Sequence, residues 1–195
     1  MKIFEKNKSG GGFTLIELLM VVVIILILST IILANYSAGQ KQLALSRAAH
    51  KLSQDLRRAQ EMAMSAKDFT NNPSATPTPS KGGYGIYFNL ANPTKYSLFA
   101  DCDNEKDFDN SGSAPSCFAA TTTDPYRELV EEISIEKDVK ISNVSPGPSL
   151  AIIFNPPNPE VNFNPDGSST STITLSIDGK QKKVIVNKAG LIAIE

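Results

Sequence analysis

Residues 13–34 read FTLIELLMVVVIILILSTIILA, and this stretch decides the fold. Of its 22 residues only Thr14, Glu17, Ser29 and Thr30 are polar, and Leu18 to Leu28 is an unbroken apolar run. A helix needs about 20 mostly apolar residues to cross a hydrocarbon core ~30 Å thick, so a transmembrane helix is predicted here. Lys2, Lys6 and Lys8 precede it against a single Glu5. That excess of positive charge puts the N-terminus in the cytoplasm and the rest of the chain outside. A cleaved secretory signal would have an apolar core of roughly 7–15 residues and a small-x-small cut site. This core is longer, and Asn35-Tyr36-Ser37-Ala38-Gly39 is a poor cut site. A plain signal anchor, the other reading, gives no reason for a carboxylate inside the apolar segment.

Glu17 is that carboxylate, about one turn from the start of the segment. Ionised side chains are costly in a bilayer and usually have partners and functions there. A partner appears if the chain is cut after Gly12. The cut frees an α-amine on Phe13, whose ordinary pKa of about 7.7–8.0 leaves it largely cationic at neutral pH. The amine of one subunit set against Glu17 of another would neutralise both charges and fix the relative height of the two helices. A lone protomer would hold the carboxylate unpaired or protonated. The residue therefore points to helix-by-helix assembly. The glycines before Phe13 lack the preceding strand and the Lys-Ser/Thr of a phosphate-binding loop.

Lys2, Lys6, Lys8, then Ser9-Gly10-Gly11-Gly12, then Phe13-Thr14-Leu15-Ile16-Glu17-Leu18 closely resemble the class III signal of the type IV pilin superfamily. The resemblance implies that a membrane prepilin peptidase cuts between Gly12 and Phe13 and N-methylates Phe13. It also implies assembly through Phe13 and Glu17, with other pilins or pseudopilins, an inner-membrane assembly platform and membrane lipid as partners. The expected location is the inner (cytoplasmic) membrane as a single-pass protein with an extracytoplasmic or periplasmic domain, and a filament after assembly. One departure is plain: many major pilins carry a Pro in the second half of the span, and this chain has none before Pro73.

Beyond the span, residues 36–66 contain no Pro and only Gly39. Leu45, Ala49, Leu52, Leu56, Ala59 and Ala63 recur at helical spacing and form one apolar stripe. Lys41, Arg47, Lys51, Asp55, Arg58 and Glu61 are expected on the opposite face. A single helix over 13–66 would be about 80 Å long at ~1.5 Å per residue. Residues 70–83 (TNNPSATPTPSKGG) read as loop. From Tyr84 the pattern changes to strands at 84–90, 95–100, 129–135, 139–144, 150–154, 172–177, 183–187 and 191–194. Ala91-Asn92-Pro93-Thr94 and Asp178-Gly179 are hairpin turns. The predicted fold class is α+β: a long N-terminal helix, transmembrane then amphipathic, packed on an antiparallel β-sheet, the pilin lollipop. The boundaries follow as a leader 1–12, a span 13–34, an amphipathic helix 35–66, a loop 67–83 and a β domain 84–195.

A second, narrower resemblance lies at the C-terminal end. Val161-Asn-Phe163-Asn-Pro-Asp-Gly167, Ile173–Ile177, Lys183–Val186 and Ala189-Gly190-Leu-Ile192 resemble the pattern of H-type minor pseudopilins and related minor pilins. Its implication is a structural subunit of a type II secretion pseudopilus or a type IV pilus.

Other functional classes fare less well. The net charge of −1, from 19 basic and 20 acidic residues, speaks against a generally basic nucleic-acid binder. The chain has one histidine, His50, one step off the apolar stripe and expected at the surface. No nucleophile–base–orienter set is legible, so no enzyme and no catalytic residue is assigned. Lys180, Lys182, Lys183 and Lys188 form a basic cluster, the basis of an alternative as a DNA-binding minor pilin. A generic membrane-anchored extracytoplasmic domain is the second alternative. Asp101, Asp103, Glu105, Asp107 and Asp109 place oxygen ligands at every second position. Lys106 and Gly112 stand where an EF-hand requires Gly and Glu, which leaves a looser Ca²⁺ loop or a solvated acidic turn. No other cofactor is indicated. Cys102 and Cys117 bracket this loop, and outside the cytoplasm they can form a disulfide, with two free thiols as the alternative. Processing is directly testable. In a peptidase-competent host, mass spectrometry is expected to find a chain starting at methylated Phe13, with 183 of the 195 residues. An intact leader would contradict the reading.

Overall fold

The computed structural model describes residues 11–69, 78–102, 104–108, 128–156 and 160–195. The chain divides into two compact units, Met1–Gln40 and Lys41–Glu195. One α-helix, α1 (Leu15–Met64), contributes to both. It forms because the sequence offers no proline and one glycine over 50 residues, with Leu, Ala, Lys, Arg and Gln abundant after residue 40. It ends at Met64, two residues before the boundary the sequence suggested. Ala66 adopts a left-handed φ of 44°. The Lys67 N–H then donates to Met62 O at 3.1 Å and the Ala66 N–H to Ala63 O at 3.0 Å. This is a Schellman closure with alanine where glycine is usual.

In the first unit Leu15–Ile32 has a mean hydropathy of 3.1, long and apolar enough to cross a membrane. Its two hydroxyls, near the C-terminal end, are satisfied inside the helix: Ser29 Oγ donates to Ile25 O at 2.7 Å and Thr30 Oγ1 to Ile27 O at 2.8 Å. Neither hydroxyl therefore leaves an unbonded donor in an apolar surrounding.

The second unit is built on two antiparallel sheets and a small ladder rather than the single sheet expected. Two-residue strands β1 (Asp68–Phe69) and β2 (Thr78–Pro79) pair within the stretch read as loop. The next strands are β3 (Gly83–Asn89), β4 (Lys95–Asp101), β5 (Leu129–Ser134), β6 (Lys140–Ser145), β7 (Ser149–Phe154), β8 (Val161–Asn164), β9 (Thr170–Ile177), β10 (Lys180–Asn187) and β11 (Ile192–Ile194). Their orders are β5-β4-β3-β7-β8 and β11-β10-β9-β6. The β9–β10 hairpin turns on Asp178-Gly179, with φ of 45° and 79°. Positive φ at both turn residues matches the right-handed strand twist.

All six stripe residues of α1 are buried, and Ala48 and Met62 join them. They share one core with Tyr84, Ile86, Phe88, Leu98, Ile152 and Phe154 of the five-stranded sheet and Ile173, Leu175, Val184 and Val186 of the four-stranded one. Small Ala49, Ala59 and Ala63 let the helix approach both sheets closely. The polar residues assigned to the opposite face require a correction. Arg47, Lys51, Asp55 and Arg58 line the flank of the stripe and reach the sheet. Arg47 Nη2 donates to Glu136 Oε1 at 3.2 Å, Arg58 Nη1 to Glu131 Oε2 at 2.7 Å, and Lys51 Nζ to Ser134 O at 3.1 Å. Lys41 pairs with Asp178. Long side chains one step off a stripe can curl back over its margin. Such half-exposed pairs contribute about 0.2–1 kcal/mol each, so they set rotation more than stability.

The Tyr96 hydroxyl donates to Asp55 Oδ2 at 2.5 Å, and burial with this carboxylate pushes its pKa well above the usual phenol range. Burial, then the charge of Asp68, raises Tyr84 from 10.0 to about 12. Its hydroxyl donates to Lys67 O at 2.8 Å. A raised phenol pKa adds stability that is whole below the unfolded pKa and is lost as pH climbs through the folded one. Chemical denaturation of a chain starting at Lys41 should therefore show a tyrosine contribution that is flat below about pH 10 and lost towards pH 12. Tyr84→Phe should flatten that decline. In the same assay Leu56→Ala, at a fully buried position, should cost about 2–5 kcal/mol, whereas His50→Ala, at an exposed one, should move stability by less than about 0.5 kcal/mol.

Candidate functional site

The start of α1 is the first candidate. Gly12, Phe13 and Thr14 precede the helix, and Glu17 lies in its first turn. The Glu17 N–H donates to Thr14 Oγ1 at 3.3 Å and the Leu18 N–H to Thr14 O at 3.2 Å. Thr14 is thus the N-cap. Thr14-Leu15-Ile16-Glu17 has the Thr-x-x-Glu spacing of a capping box, with the acid at the positive end of the helix dipole. Sequence reasoning singled out Glu17 for its place in lipid but passed over Thr14, although this spacing was there to be read. Phe13 is 84% exposed and Glu17 is exposed as well. Phe13 and Glu17 therefore bracket the cap, one turn apart, and among the described residues no side chain pairs with the Glu17 carboxylate.

The acidic loop is placed differently from its sequence pattern. Asp101 is fully buried at the end of β4, not extended towards solvent. Its Oδ1 accepts the Asn104 N–H at 2.7 Å and its Oδ2 the Lys106 N–H at 3.2 Å. Asn104 and Lys106 take left-handed φ of 69° and 65°, which turns these donors inward. Gly82 makes room: a Cβ there would lie 2.1 Å from Asp101 Cγ. Asp101 therefore folds the loop, while Glu105 is exposed and Asp107 half-buried. No group of three or more metal-ligating side chains occurs among the described residues. Asp103 and Asp109 lie outside them. Cys102 is buried and disulfide-bonded, and Cys117 lies outside the described residues. Phe108 covers the outer face of the five-stranded sheet, with ring centroids 5.2 Å from Phe99 and 5.1 Å from Tyr87.

The four lysines do not converge. In a strand, adjacent side chains point to opposite faces. Lys180 and Lys182 share the face of buried Val184, whereas Lys183 lies on the other face. Lys180 Nζ donates to Gln42 Oε1 at 3.5 Å, and Lys188 is paired with Asp166 at 3.3 Å. The Lys188 charge and the Gly167 N–H together hold the Asp166 pKa below the usual carboxylate range, the N–H being the larger influence. A cluster in sequence is thus divided between the two faces of β10.

The known families fit these two regions. A model described as prokaryotic N-terminal methylation motif matches residues 7–33. A model described as type II transport protein GspH matches residues 48–190, well over half of the 195. No curated protein and no solved structure matches the chain. The two matches make the protein a membrane-anchored structural subunit with an extracytoplasmic domain, not an enzyme, that associates with other pilins or pseudopilins in a filament. With that motif at the head of a capped apolar helix and the second match across the α+β unit, the chain belongs to the type II transport protein GspH family of pilin-like minor pseudopilins.

Proposed function

We propose that this subunit enters its filament through an electrostatic match at the first turn of α1. Prepilin peptidase cuts between Gly12 and Phe13 on the cytoplasmic side and methylates the new amine. The Glu17 carboxylate of one subunit then receives the Phe13 amine of a neighbour. The single observation that carries this reading is an exposed carboxylate in the first turn of an apolar helix with no described partner. In a low-dielectric surrounding an unpaired charge is penalised and a paired one much less so. A neighbour at the wrong height leaves two charges uncompensated, so pairing selects one axial offset. The apolar surface of Leu15–Ile32 then packs against other helices instead of lipid. The inner-membrane assembly platform, reached only after processing, is the expected site of this exchange.

A generic membrane-anchored domain gives no role to acid chemistry at residue 17, so the side chain itself is the test. Glu17→Gln keeps size and hydrogen bonding but removes the charge. In a native host, sheared filaments should contain at least about tenfold less of Glu17→Gln than of the unsubstituted chain, one factor of ten corresponding to ~1.4 kcal/mol. Membrane levels and leader cleavage should stay unchanged. Equal incorporation of Glu17→Gln would rule the pairing out. A disulfide between Cys102 and Cys117 is also proposed; a non-reduced peptide map should recover the two cysteines in one linked fragment.

A further inference from the structure

Phe108 packs on part of the outer face of the five-stranded sheet, and a cavity of about 310 Å³ lies beside it. Register builds its floor. Tyr87 on β3 stands opposite Ser97 on β4, and Ser97 opposite Glu132 on β5, so the three form one row across the strands. Asn89 and Lys95 lie two residues along on the same face. Asn92, in the β3–β4 turn, adds an exposed amide at that end. Two aromatic rings line the other part: Tyr87 and Phe108 meet at 5.1 Å with their planes tilted by 37°. Several of the polar groups are held in place. Asn89 Oδ1 accepts the Ala91 N–H at 2.8 Å, and its Nδ2 donates to the Tyr87 hydroxyl at 3.5 Å. Lys95 is paired with Glu132. The Asn92 amide and the Ser97 hydroxyl have no hydrogen-bond partner among the described residues.

We propose that this cavity binds one neutral pyranose unit of a glycan. The lining selects that chemistry. Its two charges, Lys95 and Glu132, cancel, so neither a phosphate nor a cationic ligand finds a net counter-charge. A purely apolar ligand would cover the Asn92 and Ser97 groups and leave them unpaired, which is costly. A sugar ring meets both demands. Its C–H face is apolar and suits the rings of Tyr87 and Phe108. Its hydroxyls each donate and accept, as do the side-chain amides of Asn89 and Asn92. Glu132 accepts and Lys95 donates, and hydrogen bonds to charged groups are the stronger kind. The volume sets the number of units. Ligand cavities run from roughly 300 to 1,000 Å³, so this one takes a single ring and leaves the rest of the glycan outside. The extracytoplasmic placement of the domain puts it among envelope and external polysaccharides. The site shares no residue with the pairing proposed at Glu17 and stands or falls separately from it.

The test is ligand binding by the full chain in a zwitterionic detergent that carries no sugar. Saturation-transfer NMR and titration calorimetry are run with two probes, tri-N-acetylchitotriose and cellotriose. At least one should bind, with a Kd of about the millimolar range for so small a contact. Which of the two binds tells an N-acetylated glycan from a plain one. Tyr87→Leu should weaken that binding at least about tenfold by removing an aromatic face. Asn92→Ala should weaken it about fivefold through a lost hydrogen bond. Asn92 is exposed in its turn, so this variant should keep the melting curve of the unsubstituted chain. His50→Ala, exposed on α1, should bind as the unsubstituted chain does. Absence of saturation transfer to both probes at about ten times the expected Kd overturns the proposal. Binding that Tyr87→Leu and Asn92→Ala leave unchanged places the sugar elsewhere and overturns it too.

Discussion

A single helix has to be stable in two different surroundings, and the rest of the protein follows from how its side chains are divided between them. From Leu15 to Ile32 it is apolar all round. From Lys41 to Met64 it is apolar along one stripe, which is buried, and polar elsewhere. A helix apolar on every side is stable in lipid or among other apolar helices. A helix apolar on one side needs a single apolar surface, and the two sheets supply it through one continuous core. The alanines matter here as much as the leucines. Ala49, Ala59 and Ala63 are at most 1% exposed, so a larger side chain at any of them would have to displace a packed neighbour.

The same division leaves a single carboxylate in the apolar segment, the one on which the proposed assembly turns. Among the described residues of the first unit, Glu17 is the only ionisable side chain within Leu15–Ile32. Thr14 fixes the start of the helix ahead of it, so its height relative to Phe13 is set by backbone geometry instead of by a flexible loop. The hydroxyls of Ser29 and Thr30 are spent on their own helix. Glu17 therefore remains the ionisable group of the span with no side-chain partner among the described residues, as the proposed pairing requires.

Much of this was legible in the sequence, for identifiable reasons. The span is a pattern of length and composition, and the stripe one of period, which the burial of its six residues bears out. Asp178-Gly179 was legible because few residues tolerate positive φ, and a Gly beside an Asp announces it. The helix end was misplaced because Ala66 takes the left-handed cap without the usual glycine. The polar flank was assigned to the wrong side because the wheel gives the angle of Cα and not the reach of Arg47 or Arg58. Asp101 and the lysines are placed differently from their sequence pattern for a shared reason. Sequence spacing registers that charges are near each other, but the strand pleat sends neighbours to opposite faces, and a tight turn can take a carboxylate for its own backbone. Only Gly82, small where Asp101 needs the space, held any hint of that burial.

The two sheets complete the argument. Strands β3, β4 and β7 have apolar residues on both faces, since Phe99, Ala151 and Ile153 are buried on the side away from the helix. A sheet with two apolar faces must be covered twice, and Phe108 belongs to that second cover. Strand β9 alternates in kind, with Ile173, Leu175 and Ile177 inward and Thr172, Thr174 and Ser176 outward, so its outer face is polar although Thr174 is itself buried. Its hydroxyls, with Lys183 of the neighbouring strand beside Thr174, keep that face polar. Strongly apolar faces would aggregate too early, and strongly charged ones would resist close approach when the helices bring the domains together.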